Sequence, residues 1–248
     1  MNDYIFMSLF WWIGGLVNGI AGFGAALIAT PLCAMFVDIT LVVPAGTIIG
    51  LSMSSQMGIT FRKFADWHRI KFLFAGALPG TLTGVTLMKR LPGEYLKLGM
   101  GGFLIAYAGW ALFFQKGSGR VVSRYWGLLV GFSSCAIGTS VGMGGPPTIV
   151  YSSLAGWSQK QIKAGIGSFF MCAGLIMISG QLIAGLQTTA SVTLAMVAVP
   201  SAVTGGWVGI RASRFIGDFS YRKILFSLLL CMGATLFARA AGALLGYQ

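Results

Sequence analysis

The chain has 248 residues, of which 56% are hydrophobic and only 9% charged, with a mean hydropathy of +0.83. That balance excludes an ordinary soluble domain and points to an integral membrane protein. The formal net charge of +12 would suggest nucleic acid for a soluble chain, but in a membrane protein it is the Lys/Arg excess that fixes orientation, so no nucleic-acid partner is expected.

Apolar segments fall near 4–21, 25–37, 39–61, 71–88, 95–114, 125–140, 146–155, 161–186, 189–210 and 223–246. A spanning helix needs about 20 residues, so 25–37 and 146–155 are too short to cross. Each follows a glycine cluster inside hydrophobic sequence: Gly22-Phe23-Gly24 in the first case, Gly142-Met143-Gly144-Gly145-Pro146-Pro147 in the second. Unpaired backbone groups there cost several kcal/mol unless protein or a water-filled cavity satisfies them. The predicted fold is therefore an all-α polytopic membrane protein. The two short segments are second arms of re-entrant or broken helical hairpins, each followed by three spanning helices.

The halves also match each other. Gly22-Phe-Gly24 aligns with Gly142-Met-Gly144, Ala45-Gly46 with Ala164-Gly165, Pro79 to Gly84 with Pro200 to Gly205, and Gly93-Glu94 with Gly217-Asp218. One register near 120 residues runs through all four pairs, which predicts a duplicated unit: a first membrane repeat over 1–118 and a second over 119–248.

Charge decides between hairpin and single broken span. If each short arm folds back, the loops near 62–71, 116–124, 160–163 and 211–223 share one face and carry thirteen Lys/Arg, Lys160 and Lys163 among them. The opposite face holds three, Lys89, Arg90 and Lys97. A single broken span divides the same loops almost evenly. The positive-inside rule favours the first arrangement. Two arms that both cross fully would give the same parity, and the short arms favour the hairpin. Either way the two repeats are inverted and both termini face outward. No removable leader is read at the N-terminus, which lacks a basic region.

Inverted repeats bring such breaks together near the midplane. The arms starting near Ala25 and Pro146 would present helix N-termini there, with Pro146 suited to a first helical position. Free amides and the positive dipole end favour an anion. The candidate binding residues are Asn18, Gly22, Phe23, Gly24, Ala25, Thr139, Ser140, Gly142, Met143, Gly144, Gly145 and Pro146. One helix end supplies about 0.3–1 kcal/mol, and about 2 when partly buried, against several kcal/mol for stripping water from an anion. Hydroxyls and amides must therefore help. Gln56 and Gln181 are secondary candidates, although structural hydrogen bonding accounts for them equally well. Arg239, inside the last apolar segment, either snorkels to the outer face or attracts the anion.

Other chemistry finds no support. The four cysteines stand singly in apolar segments, without metal-ligand spacing. His68 sits in a basic loop, no acid lies within a confident span, and no Gly-Lys-Ser/Thr follows the glycine runs. No enzyme activity, cofactor or metal is expected.

At these residues the sequence resembles the TauE/SafE family of sulfite-exporter-like permeases. The second-half stretch, Gly127-Leu-Leu-Val-Gly131 and then Gly138-Thr-Ser-Val-Gly142-Met-Gly144-Gly145-Pro146-Pro147, is the stronger match. Gly19-Ile-Ala-Gly22-Phe-Gly24 followed by Pro31 is its looser counterpart, with Ala25 where the family usually has a third glycine. The resemblance implies transport of a small sulfur-containing anion such as sulfite, sulfoacetate or a related organosulfonate across a bacterial-type inner membrane. The residues themselves indicate only a small anion held between helix N-termini. Taken with the resemblance, the expected function is transport of that anion by alternating access. A passive channel and a non-transport subunit anchoring a partner enzyme are the alternatives. Oligomeric state, flux direction and coupling ion are not legible.

Overall fold

A computed structural model describes residues 2–113, 123, 125–213 and 218–244. The described chain is helical and contains no strand. In chain order the helices are α1 (Asn2–Ala21), α2 (Ala25–Ala34), α3 (Ile39–Thr60), α4 (Trp67–Arg90), α5 (Gly93–Phe113), α6 (Trp126–Val141), α7 (Gly145–Leu154), α8 (Gln159–Ile183), α9 (Thr189–Ala212) and α10 (Asp218–Leu244). Among the described residues, five segments are long and apolar enough to cross a membrane: Asp3–Ala21, Ile39–Thr60, Ile70–Arg90, Gln159–Ile183 and Thr189–Ala212. The chain is a multi-pass membrane protein. Several residues used for the charge count and the repeat register, including Lys116, Arg120, Arg124, Arg214 and Gly217, lie outside the described residues, as does the 118/119 repeat boundary.

Local chemistry sets the helix ends. Ser158 and Gln161 form a reciprocal capping box at the start of α8, and Thr188 and Ser191 form another at α9. The first box opens α8 at Gln159, so Lys160 and Lys163 belong to its first turns and not to a loop. At α3, Asp38 accepts from the Thr40 amide at 2.7 Å and from the Thr40 hydroxyl at 2.6 Å. Those bonds hold the Asp38 carboxyl below its usual range; partial burial opposes this, and Lys97 adds a smaller favourable contribution. A lowered folded-state value stabilises the fold above the unfolded carboxyl pKa of about 3.9, and the benefit is lost as pH falls through the folded value. Asp38→Ala should therefore cost about 1 kcal/mol at neutral pH. Melts in detergent across pH should show the gap between variant and parent closing under acid conditions.

Both short helices fold back on the helix before them. Gly14 in α1 lies against Ala25 and Ala29 of α2. Phe36, just past α2, stacks on Phe6 and Phe10 at 4.7 and 5.8 Å. Contacts thus advance along α2 while they recede along α1, which defines an antiparallel hairpin. In the second half, Gly144 at the head of α7 meets Gly138 and Ser134 of α6.

The largest helix interfaces join the two halves: α1 on α9, α4 on α6, α5 on α10 and α3 on α8. Exchanging each helix for its counterpart five positions later leaves these pairings unchanged. Glycines make two of the seams close. A β-carbon on Gly15 or Gly19 would run into the backbone of α9 at Ala202 and Gly206, and one on Gly205 or Gly209 into that of α1. Gly76 and Gly80 of α4 meet the Leu128 and Phe132 carbonyls of α6, while Gly131 meets the Leu73 carbonyl. Such packing without intervening side chains is how helices associate where lipid competes equally well for apolar surface.

Candidate functional site

The chain reverses sharply at each hairpin tip, and glycine makes this possible. At the first tip Gly22 and Gly24 have φ of +85° and +99°; at the second Gly142 has φ of +78°. Side-chain-bearing residues rarely adopt this left-handed region. The α1 and α6 terminal turns then close alike: the Gly22 amide donates to Asn18 O at 2.7 Å, and the Gly142 amide to Gly138 O at 3.1 Å.

Between the tips lies a cavity of about 120 Å³. One water needs roughly 10–15 Å³ by the same measure, so a small polyatomic solute fits with some water. The head of α2 (Gly24, Ala25, Ala26) and that of α7 (Gly144, Gly145) both line it. Neither N-cap, Gly24 or Gly144, has a side chain bonded to the first-turn amides. The first amides of a helix have no partner within it, so both positive ends are directed at one space. The middles of α3 (Gly46 to Ser54) and α8 (Ile166 to Met177) form the walls, and Trp11 and Phe170 contribute aromatic surface. Polar side chains on the lining are few: Asn18, Thr47 and Ser54.

The structure thus brings Asn18, Phe23, Gly24, Ala25, Gly142, Gly144 and Gly145 to one cavity. Other candidates stand beside it. Gly22 is buried under the Lys163 side chain. Met143 is fully buried in the core. Pro146 lines a separate apolar cavity against α5 and α6. The Ser140 hydroxyl donates to Ala136 O at 2.7 Å in its own helix. Thr139 is fully buried, and its hydroxyl has no hydrogen-bond partner among the described residues.

The two glutamines bond between helices. Gln56 Nε2 donates to Val203 O at 3.2 Å. Gln181 Nε2 donates to Thr47 Oγ1 at 3.2 Å and points to Thr139 O at 3.5 Å, and its Oε1 accepts from Gln187 at 2.9 Å. Arg239 is exposed on α10, five residues before its end at Leu244, and does not touch the cavity. That position fits the snorkelling alternative.

A scan of protein-family models matches the one described as "Sulfite exporter TauE/SafE" over residues 7–236. The chain belongs to the sulfite exporter TauE/SafE family. As a TauE/SafE protein it is a membrane transporter of sulfur anions in the broad sense. No match was found among curated proteins or among solved structures.

Lys163 is the residue that charge counting misplaced. It is 5% exposed, and its ammonium donates to Gly19 O at 3.2 Å and to Ile20 O at 3.1 Å. The ammonium also lies 5.4 Å from the Phe61 ring centre. The sequence does carry a signal for this placement. Ser158-x-x-Gln161 is a capping-box pattern, which puts Lys163 one turn inside α8 in this TauE/SafE chain.

The tips also limit which variants are informative. A β-carbon on Gly144 would meet the Ser134 carbonyl, and one on Gly22 the Lys163 stem. Valine at either position would therefore disturb the hairpin itself, and loss of transport there would report on packing as much as on contact with a solute.

Proposed function

We propose that this chain carries a small sulfur oxyanion or organosulfonate, of the sulfite or sulfoacetate type, across a bacterial-type inner membrane by alternating access. The observation that supports this most directly is the shared cavity: two uncapped helix heads, one from each half, line it with almost no competing acidic surface. In this reading the repeats are inverted, both termini face outward, and Asn18, Thr47 and Ser54 supplement the amides of Ala25, Ala26 and Gly145. The wall glycines keep room for the solute. Some water stays with the anion, because two helix ends offset only part of its dehydration.

Transport into liposomes tests the reading. Purified protein should take up labelled sulfite or sulfoacetate with saturation, and internal unlabelled anion should accelerate entry by exchange. Unsaturable conductance without counterflow would favour a pore. No flux of any sulfur anion would favour a subunit that serves a partner protein.

A further inference from the structure

The two tips are built alike but charged differently. In a hairpin of helices, the C-terminal end of the first arm lies beside the N-terminal end of the second. Each end carries roughly half an elementary charge, negative and positive respectively, so at a bare tip the attraction of the lining helix head for an anion is partly offset by the carbonyl end beside it. Asn18 O and Gly138 O are equivalent, both closed by the tip glycine amide. The next carbonyls, Gly19 O and Thr139 O, are equivalent too, and here the halves differ. The Lys163 ammonium holds Gly19 O and Ile20 O at 3.2 and 3.1 Å. The neutral Gln181 amide faces Thr139 O at 3.5 Å.

We infer that Lys163 is a positioning residue for anion binding: by engaging the carbonyls at the negative end of α1, it offsets their repulsion of an anion and makes the first tip the stronger half of the site. This rests on the anion-carrier reading above. The ammonium lies over the last turn of α1, whose Asn18 lines the cavity, while Ile166, one turn further along α8, lines it as well. Burial strengthens the effect, since a charge sheltered from water and salt is screened far less than a surface one. The Lys163 stem also covers Gly22, which fixes the tip that the ammonium charges.

Two substitutions separate charge from hydrogen bonding. Lys163→Gln keeps a donor for the carbonyls and removes the charge; Lys163→Arg keeps both. Sulfite binding to purified protein and sulfite uptake in liposomes should show Lys163→Gln with roughly tenfold higher Kd and KM and little change in kcat. Lys163→Arg should stay within about threefold of the parent by the same reasoning. Equal weakening in both variants, or unchanged affinity in a folded Lys163→Gln protein, would overturn the inference. A second variant approaches from the other tip, so the test does not depend on Lys163→Gln folding. Gln181→Lys should tighten sulfite binding several-fold by bringing an ammonium to Thr139 O, and unchanged or weaker binding would count against the idea. Parent protein that binds neither sulfite nor sulfoacetate would remove the anion-carrier reading and this inference together. Parent binding with an indifferent Lys163→Gln removes this inference alone.

Discussion

Gly50→Leu should abolish most transport while leaving the protein at least as stable as the parent. Gly50 lies in the middle of α3 on the cavity wall, and a β-carbon there meets nothing within 4 Å. Its φ is not in the left-handed region, so a side chain costs no backbone strain. Glycine within a helix is about 0.8–1.0 kcal/mol less favourable than alanine, and leucine is nearly as good a helix former as alanine. The new side chain would project into about 120 Å³ of space and occupy much of what the solute needs. Uptake should drop at least tenfold, roughly 1.4 kcal/mol or more at the barrier, while the melting temperature holds or rises. Gly50→Ala should keep part of the flux. Full activity in a folded Gly50→Leu protein would show that the solute passes elsewhere. This is a cleaner probe than substitution at the tips, where packing fails first.

Gly131→Val should prevent accumulation of folded protein. The Gly131 Cα faces the Leu73 carbonyl so closely that any β-carbon would overlap backbone, which cannot rotate away. The α4 and α6 helices would have to separate along a seam that also contains Gly76 and Gly80. Overpacking of a fitted core costs about 1–3 kcal/mol even where side chains can yield; backbone overlap should exceed that. Detergent-solubilised protein should run as aggregate in size-exclusion chromatography. Gly99→Ala and Gly109→Ala are the controls, because neither glycine has an atom within 4 Å of the added carbon. Both should yield monodisperse protein of equal or slightly greater stability. A monodisperse, active Gly131→Val would show that α4 and α6 can separate at Gly131 and Leu73 without loss of the fold.

The helix plan was legible because its signals are local. Segment lengths, capping residues and glycine clusters each act within a few residues, so α2 and α7 could be recognised as short arms beginning at Ala25 and near Pro146. The candidate site was legible as far as it depends on backbone, namely the helix heads at Gly24, Ala25, Gly144 and Gly145. Its side chains were harder. Met143 and Pro146 sit within the same cluster as Gly144 and Gly145, yet a helix turns each successive residue about 100°. That step separates Pro146 from Gly145 on α7, while Met143 lies in the tip between α6 and α7; neither lines the cavity. Trp11, Gly50 and Phe170 line it from other helices, an arrangement that only the tertiary packing determines. Lys163 enters the charge count as a loop residue, because counting toward orientation assigns every lysine near a segment end to a loop. Its actual partners, Gly19 O and Ile20 O, lie more than 140 positions away.

The glycine seams carry a consequence for how this chain is assembled. The face of α1 bearing Gly15 and Gly19 is matched by α9, and the face of α4 bearing Gly76 and Gly80 by α6. Each half therefore supplies grooves that only the opposite half can fill. A fragment ending before α6 would leave both faces bare to lipid, and co-production of the two fragments, rather than either one separately, should restore a folded particle.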